Sequence, residues 1–268
     1  MKNRGSRPSS RSAITGASCI ALLVLSLASC SSDGQRGDVE NATGNVKGGL
    51  TVLAASSLTE VFTDLSGAFE ADYPGVRVNL SFAASPTLVA QVQEGAPADM
   101  VATADDLTMK RLIDSGDVMR SRAFARNKLA IAVARGNPLG IAGLRDLARK
   151  DIALVLCDSA VPCGRLADQA LDQAGVSVSP ESREQNVKAT LGKVELGEAD
   201  AAIVYVTDTA ASDAVTAVSI PDDLEVTTSL PSATLRDATN SAAAAAFTEF
   251  LLSAEGRRIL LKAGFLEP

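Results

Sequence analysis

The stretch from Leu50 to Phe69, L-T-V-L-A-A-S-S-L-T-E-V-F-T-D-L-S-G-A-F, constrains the fold more than any other part of the chain. Its first half is a short apolar run with the β-branched Thr51 and Val52, which reads as a buried strand. Its second half places Leu58, Val61, Phe62, Leu65, Ala68 and Phe69 on one helical face. Ser56 and Ser57 lie between, and Ser57 is a candidate N-cap. A strand that runs straight into a capped helix leaves backbone N–H groups and a hydroxyl at its carboxyl end. Open α/β sheets bind ligands there, and the dipole suits an anion.

The same grammar recurs. Val76 to Phe82 alternates as a strand, and Ser85-Pro86 reads as an N-cap followed by a favoured first helical residue, with Gly95 as the stop. Ala98 to Thr103 is a short strand, after which Asp105 caps a helix that Gly116 ends. Lys128 to Ala134 and Ile152 to Leu156 read as strands, with a short helix marked by Leu144 and Leu147 between them. The second strand leads into Val161-Pro162-Cys163-Gly164 and a helix through Leu166, Ala170 and Leu171, so the Cys163 N–H is an exposed donor at a helix start. Gly164 is expected to let the backbone approach a ligand closely. Asn186 caps a helix carrying Val187, Leu191 and Val194. Ala201 to Val206 is a buried strand ending near Tyr205. Short strand-like runs follow at 215–220 and 224–230, then helices over 242–252 and 255–263. Strands alternating with helices make the fold class α/β, with mixed, mostly parallel sheets flanked by helices.

Composition narrows the function. Lys2, Arg4, Arg7 and Arg11 precede an apolar run from Ala13 to Ala28, which makes residues 1–29 an export signal rather than a lasting membrane span. The tetrad Leu27-Ala28-Ser29-Cys30 resembles a bacterial lipobox, which implies cleavage before Cys30 and a lipid on its sulfur; an ordinary signal with an incidental cysteine is the alternative. Residues 30–48 are rich in Ser, Gly, Asn and Asp without a periodic apolar face, and read as a disordered tether. Beyond the signal, 21 basic residues stand against 32 acidic ones, a net charge of −11 that leaves no footprint for nucleic acid. An anionic ligand must then be drawn by local dipoles. The chain has no histidine, which excludes Ser-His-Asp and Cys-His catalysis and His-ligated metals. It has no tryptophan and only two tyrosines, which weakens a sugar site built on stacking. Export permits a disulfide between Cys157 and Cys163; two free, partly buried thiols are the alternative.

Several segments together resemble the periplasmic molybdate-binding proteins of ABC transporters. They are T-V-L-A-A-S-S-L-T (51–59), S-F-A-A-S-P-T-L (81–88), G-A-P-A-D-M (95–100), V-P-C-G (161–164), N-V-K-A-T-L (186–191), A-I-V-Y (202–205) and K-A-G-F (262–265). Each is weak alone, but they run in the family's order from residue 50 to 265. The resemblance implies a two-lobed binding protein of type II with a cleft between the lobes. Lobe I would hold 49–126 plus 229–268 and lobe II 127–228, hinged near Asn127-Lys128 and Ser229-Leu230. It implies molybdate, and tungstate, as ligand, no enzymatic activity and no cofactor. The partners would be a membrane permease and its ATPase, and the protein a monomer held at the membrane only by Cys30, on the outer face of the cell membrane or in the periplasm. The contacts carried over are the hydroxyl and N–H of Ser57 and Ser85, the N–H of Cys163 and Val187, and the phenol of Tyr205. Sulfate or another oxyanion, or a sensing role without transport, are the competing readings. Arg165 is expected to be solvated, and Asp99 to be a structural hydrogen-bonding residue.

Overall fold

The computed structural model describes residues 46–268. The export signal, Cys30 and most of the tether lie outside those residues.

The first strand, β1 (Gly48–Ala55), pairs in parallel with β2 (Val76–Ala83) and with β3 (Met100–Ala102). β1 starts inside the stretch read as tether. Gly48 and Gly49 align with Val76 and Arg77 by backbone alone, so no side-chain pattern in the sequence marks them; Val46 already packs against the core. Between the three strands run α1 (Thr59–Asp72), preceded by a tight turn over Ser56–Leu58, and α2 (Ser85–Gln93). Next comes α3 (Asp106–Ser115), capped by Asp105 through Thr108 N at 2.9 Å and closed by Gly116 at φ 82°.

One long strand, β4 (Arg122–Ala134), organises the rest. Its first half runs antiparallel to β9 (Thr227–Thr234), which also pairs with β3. Its second half pairs antiparallel with β7 (Ala201–Tyr205) and β8 (Val215–Ser219). Next to β7 lies β5 (Leu154–Cys157), and beyond it β6 (Ser182–Glu184), each pairing in parallel. Among the described residues the antiparallel strand pairings all involve β4 or β9, apart from an isolated antiparallel bridge between Val118 and Leu235; the other strand pairings are parallel. The helices of this half are α4 (Pro162–Gln173), α5 (Val187–Glu195) and the short α6 (Val206–Ala210). The chain ends with α7 (Ser241–Leu252) and α8 (Ala254–Lys262).

Two main hydrophobic cores result. The first collects Val61, Phe62, Leu65 and Phe69 of α1, Phe124 of β4, and Phe247, Phe250 and Leu251 of α7. Its rings meet at close range, with Phe62 5.6 Å from Phe124 and Phe69 5.0 Å from Phe247. Burying one such side chain contributes about 1.5–3 kcal/mol. The second core takes Leu129 and Ile131 of β4, Leu154 to Cys157 of β5, Val187, Leu191 and Val194 of α5, and Ala201 to Tyr205 of β7. A smaller cluster packs Leu88 and Val89 of α2 and Met109 and Leu112 of α3 under Leu53. β4 thus feeds both main cores, and the change falls near Asn127, which pairs with Thr228 and donates to Thr207 Oγ1 at 2.8 Å. Its first half escaped the pattern reading because a register shift at Ala123–Ala125 buries Phe124 and Ala125 side by side, which breaks the period of two.

Asp99 is structural, as expected. Its carboxylate accepts from Thr51 N at 2.8 Å, Asn240 N at 2.8 Å and Thr239 Oγ1 at 3.0 Å, tying β1 to the start of α7. Burial works to raise its pKa, yet these hydrogen bonds hold it below the ordinary value.

Candidate functional site: an uncharged hollow at four helix starts

The five residues singled out from sequence line one small hollow. Ser57, Ser85, Cys163, Val187 and Tyr205 share it with Ala55, Ser56, Ala84, Ala104, Val161, Pro162 and Asn186. No charged side chain belongs to this lining. The walls come from both main cores: β1 and the turn before α1 on one side, and α4, α5 and β7 on the other.

Neither serine caps its helix, contrary to the sequence reading. Ser57 sits inside the Ser56–Leu58 turn, Leu58 is the N-cap of α1, and no side chain caps either element. The turn tightens the strand-to-helix corner and leaves Ser57 one residue before the capping position of α1. Ser85 is the first residue of α2, with Ala84 as N-cap. Its Oγ accepts from the Ala104 N–H at 3.0 Å, beyond the end of β3. Pro86 sits in the helix's first turn, where its missing N–H costs no hydrogen bond.

Two hydroxyls at the hollow are buried and unpartnered. Ser57 Oγ and Tyr205 Oη make no hydrogen bond, although the residues are 5 % and 1 % exposed. A buried polar atom without a partner costs about 1–3 kcal/mol, so two beside one hollow point to something that the hollow is built to hold. Burial pushes the Tyr205 phenol well above its ordinary value, with the charges of Asp208 and Asp105 adding to the rise. The phenol is therefore a donor at any physiological pH.

Backbone donors complete the wall. Cys163 is the second residue of α4 and Val187 the first of α5, positions whose N–H groups have no intrahelical acceptor. Asn186 caps α5 through Ala189 N at 2.9 Å, as the sequence indicated. Cys163 is bonded to Cys157 in a disulfide with Cα atoms 5.9 Å apart, and Thr190 Oγ1 of α5 lies 3.3 Å from the Cys157 sulfur. The role expected of Gly164 is corrected. A Cβ there would stand 2.0 Å from the Asp158 carbonyl oxygen, so glycine is required to seat α4 on its own approach loop, not to admit a ligand.

The cations that closely follow Cys163 and Val187 in the chain pair with carboxylates outside the lining. Arg165 is not solvated as expected: its guanidinium pairs with Asp105 and donates to the Ala160 carbonyl, and to Thr108 Oγ1 at 3.2 Å. Lys188 Nζ lies 2.8 Å from Glu60 and 3.0 Å from Asp208. Burial opposes the ammonium, but the two carboxylates hold its pKa above the ordinary value. Asp208 is fully buried, and its Oδ2 accepts from Tyr205 N at 3.2 Å. The lining is neutral, and its residues carry hydroxyl and amide donors at the starts of α1, α2, α4 and α5. Such a wall stabilises an anion that brings no proton of its own. Ala104, Pro162 and Ser56 were missed by sequence reasoning. Ser56 adjoins a chosen residue, but nothing local marks Ala104, which the sheet brings to Ser85 from 19 residues away.

Residues 50–266 match the family of bacterial extracellular solute-binding proteins. The chain belongs to that family. This solute-binding protein is 36% identical over 250 residues to the molybdate-binding protein ModA of Mycobacterium tuberculosis, a match that covers 92% of the chain and 95% of the relative. Among solved structures it is similar to the periplasmic molybdate-binding protein of Azotobacter vinelandii, with a TM-score of 0.71 at 20% identity over 82% of this chain and 99% of that one. It is also similar to the sulfate-binding protein SubI of Mycobacterium tuberculosis, with a TM-score of 0.69 at 21% identity over 81% and 86% of the two chains. At these identities the two structures speak for the shared fold: the mixed α/β architecture of periplasmic solute-binding proteins.

Proposed function

We propose that the protein captures molybdate, and tungstate by the same contacts, outside the cytoplasm and delivers it to an ABC permease and its ATPase. The observation that carries this reading is the pair of buried, unpartnered hydroxyls, Ser57 Oγ and Tyr205 Oη, on a hollow without charged lining. Molybdate is doubly negative and unprotonated at neutral pH, so a wall of donors suits all four of its oxygens. The ligand set is the hydroxyls of Ser57, Ser85 and Tyr205 with the N–H groups of Ser57, Ser85, Cys163 and Val187. Hydrogen bonds to a charged partner contribute about 1.5–3 kcal/mol each, and five to seven of them, less ordering costs, suffice for tight binding. Phosphate is disfavoured, because its protonated form brings a hydrogen that no carboxylate of the lining accepts, which leaves only neutral oxygens to take it.

The reading includes two lobes, 49–126 with 229–268 and 127–228, that close on the anion about Asn127-Lys128 and Ser229-Leu230. The way β4 passes from one core to the other near Asn127 supports it. Export and a lipid at Cys30 rest on the sequence of residues 1–30. Sulfate is the second reading, favoured by the fold likeness to a sulfate-binding protein. Calorimetric titration with molybdate, tungstate, sulfate and phosphate decides between them. Heat with molybdate and tungstate but not with sulfate is expected; the reverse order assigns the site to sulfate.

A further inference from the structure

Arg165 and Lys188 follow the lining residues Cys163 and Val187 by two positions and one, yet Arg165 pairs with the opposite wall and Lys188 divides its charge between Asp208 on its own side and Glu60 on the opposite wall. Arg165, on α4, reaches Asp105 at the start of α3; Lys188, on α5, reaches Glu60 in the first turn of α1. α4 and α5 pack on the second core. α1 packs on the first and α3 on the small cluster under β1. Among the described residues these are the ion pairs that cross between the two halves; Arg77–Glu70, Arg122–Glu249, Lys128–Glu225 and Arg183–Asp168 each stay within one. All four partners adjoin the lining: Glu60 is three residues past Ser57, and Asp105 follows Ala104.

We propose that Arg165–Asp105 and Lys188–Glu60 are positioning pairs that hold the two walls of the site together, and so set how long a bound anion stays, without touching it. This deepens the function proposed above and rests on it. Charge and dipole then divide the work. Neutral N–H and O–H groups meet the ligand, while the nearby cations fasten the walls around it. The apparent affinity of a site scales with the fraction of molecules in the closed, binding-competent arrangement, so contacts made only on closing raise affinity from a distance. The side chains are partly exposed, at 29 % and 12 % for Arg165 and Asp105 and 26 % and 51 % for Lys188 and Glu60, so salt weakens them.

The test uses Glu60→Gln and Asp105→Asn, alone and together. Asparagine still caps α3, and neither Glu60 nor Asp105 is itself part of the lining. Stopped-flow release of molybdate is expected to quicken about two- to fivefold in each single variant and by about the product in the double. Added salt quickens release from the wild type and leaves the double variant nearly unchanged. Sulfate serves as the probe if molybdate gives no heat, which keeps a wrong ligand apart from a wrong role for the pairs. Backbone hydrogen exchange at residues 56–62 and 186–190 without any anion is expected to be faster in the double variant. Unchanged release of whichever anion binds overturns the proposal; if neither binds, unchanged exchange does so.

Discussion

The Ser85 hydroxyl accepts a hydrogen bond from the Ala104 N–H at 3.0 Å, and so its own proton is free to face the hollow. One side chain thus satisfies a buried backbone donor and presents a donor to a ligand. Ser85→Ala removes both. Leaving the Ala104 N–H buried without a partner costs about 1–3 kcal/mol of stability, and the lost ligand contact lowers molybdate affinity as well. Denaturant midpoints with and without molybdate check this. A variant as stable as wild type would mean that Ala104 does not depend on Ser85.

Tyr205→Phe is expected to behave in the opposite way in the absence of ligand. The phenol is buried and makes no hydrogen bond, so its removal leaves no partner unsatisfied, and the ligand-free fold is unchanged or slightly more stable. Affinity for molybdate falls by about one to two powers of ten, the value of one hydrogen bond of about 1.5–3 kcal/mol to a charged group. Ser57→Ala follows the same logic for the other unpartnered hydroxyl. Calorimetry paired with thermal melts separates the two effects; a large loss of ligand-free stability in Tyr205→Phe contradicts the account.

The loop before α4 is fixed by a covalent bond and a steric demand. The Cys157–Cys163 disulfide closes a loop of sequence separation 6, and removing it as Cys157→Ser with Cys163→Ser costs about 2 kcal/mol on the chain-entropy model. Gly164→Ala places a Cβ 2.0 Å from the Asp158 carbonyl, which forces the loop off the helix start that presents the Cys163 N–H. Both variants are expected to lose molybdate affinity, the glycine variant more. Equal affinity in Gly164→Ala would show that the loop position does not matter to the site.

Much of this site was legible because its parts are local. A strand ending in small residues and then Ser, Pro or Asn at a helix start can be read within ten residues, and Ser57, Ser85, Cys163, Val187 and Tyr205 do meet at one hollow. The uses of the hydroxyls were not legible. Whether Ser85 caps its helix or bonds to Ala104 depends on where β3 ends, and whether Arg165 is solvated depends on Asp105, 60 residues earlier in the chain. The short β6 and α6 carry too few residues for a period to show, and β4 hides its first half behind a bulge.

Asp208 gives the protein a pH signature of unusual sign. Its carboxyl is fully buried and pushed from 3.8 up to about 6, because burial opposes its charge more than Lys188 and the Tyr205 N–H support it. In the unfolded chain it titrates near its ordinary value of about 3.9. Between about pH 4 and 6 the folded form therefore holds more protons than the unfolded one. This group's contribution to stability falls as pH rises through that window and is flat above it. A shift of this size corresponds to at most about 3 kcal/mol. Asp208→Asn removes the titration while Lys188 keeps Glu60. The difference in unfolding free energy, wild type minus variant, is expected to fall as pH goes from 4 to 7. Denaturant titrations across that range measure it, and a difference independent of pH would show that Asp208 keeps an ordinary pKa in the folded protein.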